Sequence, residues 1–193
     1  MHARGFTLLE TIIVLLLAGV VLAGVFYAAG SVSREERLNA AFHLKEMVVS
    51  NMRNLYKAAN VNEIDDPTGN IMQQLDQAEV FPEEMQNDVD ANDGVINHPL
   101  SNETGTVQAT YILPDDPDPF LVSLTYEDVP PEDCLRLLTR SSATTSNLTS
   151  AFKLIINGTA NTLLPMSPTD IEAQCKASAT NKATITWHYR VRS

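Results

Sequence analysis

Three groups of residues in this 193-residue chain have the types and spacing to do chemistry: one acid beside an apolar run, two cysteines, and two clusters of aspartate in turns. Glu10 lies one turn inside an apolar segment whose residues from Ile12 to Ala29 carry no charge. An acid at the centre of a membrane helix costs about 2.5–3.5 kcal/mol, less near the interface. A carboxylate in such surroundings therefore calls for a compensating cation. Cys134 and Cys175 form no C-x-x-C pair and no haem or zinc spacing. An even cysteine count beyond an apolar segment points to an extracytoplasmic disulfide. Asp88, Asp90 and Asn92 stand at the spacing of a calcium loop, but the glycine comes one place late, at Gly94, and Pro99 occupies the position of the closing glutamate. With Asp115, Asp116 and Asp118 in PDDPDP they read as solvated acidic turns; no cofactor is assigned, and calcium is the one ion these acids leave open.

Other chemistries lack their residues. The chain has no Ser/His/Asp or Cys/His grouping, no glycine-rich phosphate loop and no metal-spaced histidines, so an enzyme is not expected. The formal net charge is -11, and the 13 Lys and Arg residues are scattered without a run. Nucleic acid is thus not indicated as a partner, because phosphate binding needs clustered cations. His2, His43, His98 and His188 are isolated from one another, and Asn102, Asn147 and Asn157 head N-x-T sequons, a weak signal. Trp187 and Tyr189 on the last apolar stretch read as core and edge residues rather than a sugar platform.

The elements that must position these residues begin with a long helix. Phe6–Leu9 together with Ile12–Ala29 approaches the ~20 residues that a spanning helix needs. A secretory signal peptide ending near Gly30 would have an apolar core longer than usual and an acid inside it. A plain single-pass anchor tolerates Glu10 by snorkelling. Farther on, Leu38, Phe42, Lys45, Val49, Met52, Tyr56 and Ala59 recur at steps of four and three, widened by Ala41, Val48 and Leu55. Lys45 is the polar intruder, placed at the edge of the stripe. Gly30 marks a bend at most, and Ser33 with Glu35 and Glu36 suits a helix start.

A third reading accounts for the whole N-terminus. Gly5-Phe6-Thr7-Leu8-Leu9-Glu10 resembles the class III leader of type IV pilins and pseudopilins. The resemblance implies cleavage by prepilin peptidase after Gly5, methylation of Phe6 as the new first residue, and an assembly role for Glu10, the family's acidic residue five places into the mature chain. The charged amine of Phe6 on one chain would then face Glu10 on its neighbour.

Beyond the helix, residues 61–105 read as a long connection with short helical pieces at IMQQLDQAEV and PEEMQ. TVQATYILP, FLVSLTYEDV and ATITWHYRV alternate as strands, and FKLIINGTANTLL is a hairpin about Asn157-Gly158. EDCLRLLTR after Pro130-Pro131 and SPTDIEAQCKA from Ser167 are helices, each bearing one cysteine. A bridge between them would tie the C-terminal region to the sheet. The order of TYEDVPPEDC, the ING hairpin, AQC and TITW resembles the type IVb pilins; the short leader and Phe6 are more typical of type IVa.

The resemblance implies an α+β pilin fold: a long N-terminal helix packed on an antiparallel sheet head. Its parts are a leader at 1–5, a transmembrane or filament-core half at 6–30, an amphipathic half at 31–60, the αβ-loop at 61–105, and the head at 106–193 with a disulfide-bounded region at 134–175. It also implies a structural subunit anchored once in the inner membrane and then polymerised into an extracellular pilus that supports adhesion, motility or DNA uptake. The partners implied are copies of itself, prepilin peptidase, the assembly platform and minor pilins. Two other functions fit fewer of the residues: a pseudopilin of a type II secretion system and a membrane-anchored periplasmic binding module.

Overall fold

The computed structural model describes residues 8–58, 71–85, 96–101, 106–112, 121–143, 151–161 and 165–190, with the side chains at 8–11, 24–32, 57–58, 84 and 142–143 outside that description. The chain divides into two compact units, Met1–Arg37 and Leu38–Ser193.

Helix α1 spans Leu8–Ala58. Its backbone is helical through Gly30 and Ser33, so no new helix starts there. Within the first unit, Ile12–Leu17 and Val20–Leu22 are all exposed, because apolar residues surround the axis here and one helix cannot cover them all. From Leu38 the polar residues return on one side, and the apolar stripe turns inward.

The second unit is an α+β head. Among the described residues, six strands form one sheet in the order β1-β2-β3-β6-β4-β5, each pairing antiparallel. They are β1 (Ile96–Asn97), β2 (Thr106–Ile112), β3 (Leu121–Val129), β4 (Lys153–Ile156), β5 (Thr159–Asn161) and β6 (Ala183–Arg190). The last strand is thus inserted at the centre of the sheet, between β3 and β4. On β6 burial alternates strictly, with Ala183, Ile185, Trp187 and Tyr189 inward, as expected of a sheet covered on one face. Tyr189, expected near an edge, is fully buried because its strand is central.

Turn chemistry sets the hairpin. Asn157 and Gly158 both have positive φ, 48° and 82°, the conformation that lets a two-residue loop match the twist of its strands. Asn157 also accepts from Thr184 N–H at 2.9 Å and donates to the Gln174 carbonyl at 2.8 Å, which fastens the turn to the following elements. A sugar on this sequon would attach at the Nδ2 that makes the second of these bonds.

Among the described residues, three short α-helices, α2 (Met72–Gln77), α3 (Pro131–Ala143) and α4 (Pro168–Lys176), and one turn of 3-10 helix at Glu83–Met85 complete the head. Ser167 caps α4, accepting from Asp170 N–H at 3.2 Å, with Pro168 in the first turn where its missing N–H costs nothing. The segment expected as a connection contributes more to the core than its composition suggested. Ile71, Met72, Leu75, Val80, Phe81, Met85, Ile96 and Leu100 are all buried, and Ile96–Asn97 extends the sheet as β1.

Candidate assembly site

The C-terminal part of α1 is positioned by the sheet. Leu38, Ala41, Leu44, Val48, Val49, Met52 and Tyr56 share one core with Leu124, Tyr126, Trp187 and Tyr189. Burial pushes the Tyr56 hydroxyl up to about 12, with Tyr111 nearby adding to the effect. Lys45 differs from expectation. It does not sit at the edge of the stripe but is 3% exposed. Its ammonium lies 2.9 Å from Glu46 Oε1, 5.2 Å from the Phe42 ring centroid and 5.5 Å from that of Trp187. Two ring faces and one carboxylate stand in for water around this cation. Under the same helix, the hydroxyls of Tyr126 and Tyr189 are buried with no hydrogen-bond partner among the described residues. Burial, with the Glu46 charge as a second cause, raises both well above the usual tyrosine range.

The connection is latched at His98. Its ring stacks on Tyr126 at 4.9 Å, its Nε2 donates to the Glu127 carbonyl at 2.5 Å, and its Nδ1 accepts from Leu100 N–H at 3.3 Å. Both ring nitrogens are used in the neutral form, and burial lowers the pKa. Glu127 stands beside an irregularity in the β3–β6 register where Asp128 has a φ of 60° and pairs with Lys182 at 3.0 Å. On the α1 side, Asn51 donates to the Val80 carbonyl at 3.0 Å. Sequence spacing carried no sign of this latch, since a histidine far from other titratable groups looks inert.

Cys134 on α3 and Cys175 on α4 are disulfide-bonded, with Cα atoms 6.0 Å apart and both side chains fully buried. The bridge joins helix to helix rather than tying the C-terminal region to the sheet directly. Closing a loop of this length contributes roughly 3–4 kcal/mol on the chain-entropy estimate.

The N-terminal residues assigned by sequence are placed differently. Gly5 and Phe6 lie outside the described residues, as does the side chain of Glu10. So do Asp88, Asp90, Asn92, Asp115, Asp116 and Asp118, together with Asn102, Asn147 and Ala59. Among the described residues no helix is long and apolar enough to cross a membrane. The described side chains of the uncharged run end at Ala23, and those of 24–32 are not included. Among the described residues, no cluster of His, Cys, Asp or Glu could hold a metal.

A model of the prokaryotic N-terminal methylation motif matches residues 1–26. A second, described as PilS N terminal, matches residues 37–188, well over half of the chain. The chain belongs to the type IV pilin family. The fold agrees: the crystal structure of type IV b pilin from Salmonella typhi aligns with this pilin at a TM-score of 0.61 and 15% identity, covering 79% of this chain and 99% of that one. No curated protein sequence matches it. The α+β head with its buried disulfide is therefore a pilin head, and the bare apolar stretch of α1 belongs to the part of this pilin that its methylation motif overlaps.

Proposed function

We propose that this pilin is the structural subunit of a type IV pilus. Prepilin peptidase removes residues 1–5, Phe6 is methylated, and the mature chain is drawn from the inner membrane into an extracellular filament. The observation that carries this reading is the exposed apolar length of α1 from Ile12 to Leu22, inside the residues that the methylation motif matches. Such a surface is costly in water and needs lipid or other helices around it. In lipid it anchors the precursor, and in a filament it packs against copies of itself. Glu10 then meets the Phe6 amine of an adjacent subunit, which offsets its charge at each step of assembly. The assembly platform and minor pilins are the partners this route requires.

Intact mass spectrometry of sheared surface fibres tests the proposal in one spectrum. The expected mass lacks residues 1–5, carries one methyl group, and is two hydrogens lighter for the disulfide. Retention of residues 1–5 in a protein that stays solitary in the envelope would overturn it. For the Glu10 role, Glu10→Ala chains should be cleaved normally but be poorly incorporated; efficient incorporation would remove that role.

A further inference from the structure

On the outer face of the sheet, the face turned away from the core that α1 shares, three cationic or titratable side chains gather about one exposed aromatic ring. Lys153 of β4 is paired directly across from His188 of β6, so both side chains project from this face. Phe152, among the few large apolar residues exposed in the head, sets its ring 6.0 Å from that of His188. The Arg190 guanidinium lies over the same ring at 5.4 Å, and Arg53 from α1 donates its Nε–H to the Arg190 carbonyl at 3.3 Å.

Gathering like charges is unfavourable within one chain. The strain is visible at His188, whose pKa is lowered first by burial and then by the Lys153 charge. Lys153 meets no carboxylate among the described residues, although acids outnumber bases in the chain by 24 to 13. The other described head lysines are each matched: Lys45 with Glu46, Lys176 with Glu172, Lys182 with Asp128. Copies of a subunit this acidic repel one another unless their few cations are placed at the contacts.

We infer that the Phe152–Lys153–His188–Arg190 corner is a contact surface that receives carboxylates from a second copy of this chain. The inference rests on the filament reading above. Charge complementarity between this corner and an otherwise acidic molecule selects the occupant, and Phe152 supplies apolar area that a contact between copies would cover.

The test uses the full chain in fibres grown from a mixture of unlabelled and 15N-labelled subunits. A zero-length carbodiimide reagent, which joins an amine to a carboxylate in contact, should link Lys153 to an Asp- or Glu-bearing peptide of the other isotope. In parallel, Lys153→Glu should cut fibre yield roughly tenfold, as a like charge at an interface does, while Lys153→Arg keeps it. Leader cleavage and the disulfide should be intact in both variants. If Lys153 is never cross-linked between copies and Lys153→Glu fibres form at the unaltered yield, the inference is overturned. Normal Lys153→Glu fibres that have lost binding to dextran sulfate beads would instead assign the corner to an external polyanion, and also overturn it. Failure of the unaltered protein to form any fibre would count against the filament reading and not against the corner.

Discussion

Two stretches of one helix differ in where their apolar side chains find company. From Ile12 to Leu22 the large apolar residues are about half to three-quarters exposed, from 47% at Ile12 to 72% at Leu15 and Val20. From Leu38 to Tyr56 the stripe is buried against the strands of its own chain, with Val48, Val49 and Met52 at 0%. The hydrophobic effect is the same in both; the difference is the source of the covering surface. The head covers the second stretch by itself. The first must be covered by lipid or by another molecule. A substitution in the second stretch should therefore be felt as head stability, and one in the first as anchoring and assembly.

The comparison breaks most visibly at the sheet residues that seat the helix. In detergent-solubilised full-length protein, Trp187→Ala should lower head stability by about 3–5 kcal/mol in denaturant titrations. Leu15→Ala should change it by less than about 0.5 kcal/mol, because it removes no contact within the head. A comparable loss from Leu15→Ala would end the distinction. Next in size, the paired change Cys134→Ala and Cys175→Ala should cost roughly 2–4 kcal/mol in the same titration, since α3 and α4 lose their tether.

Lys45 sharpens the comparison, because it is a charge inside the self-covered stretch. Lys45→Met, which keeps the stem volume, should leave stability within about 1 kcal/mol of the parent or raise it, as replacing a buried ion by an apolar group often does. Lys45→Ala should lower it by about 2 kcal/mol through lost packing against Phe42 and Trp187. Gly158→Ala should cost about 1 kcal/mol: there is open space around a new Cβ, so the penalty is the positive φ alone.

The smallest effect is a pH dependence. His98 has a folded pKa below its ordinary 6.5 because it is buried. The unfolded chain therefore binds the proton more readily, so the stabilisation is complete above pH 6.5 and is lost as the pH falls through the lower folded value. Protonation also puts an N–H on Nδ1 against the Leu100 N–H that it should accept. His188 is lowered too, so the measurement is a difference: the unfolding midpoint of His98→Gln against the parent between pH 7.5 and 5 (roughly the span of this linkage). A smaller slope in the variant is expected; an unchanged slope would remove the latch from the account.

Periodicity read Leu38, Ala41, Val48, Val49, Met52 and Tyr56 of α1 correctly and missed Leu44, and local turn chemistry located the Asn157-Gly158 hairpin and the Ser167 cap. These signals depend on neighbours within a few residues, so a linear pattern carries them. The depth of Lys45 was not legible, since a lysine at a stripe position reads as an edge residue until Trp187, more than a hundred positions away, closes over it. The same holds for Ile71, Val80 and Ile96. Short apolar groups among turn residues look like a surface connection, and only docking against β2 and α1 makes them core.

What the linear sequence determined alone was the methylation motif with its acid, the apolar run, and, apart from β1, the helices and strands in order, because each rests on covalent spacing. Tertiary structure decided which strand is central, that both nitrogens of His98 are held, and that Lys153, His188 and Arg190 share one face. Those are meetings between residues far apart in the chain, and their energies exist only after the sheet has assembled its register.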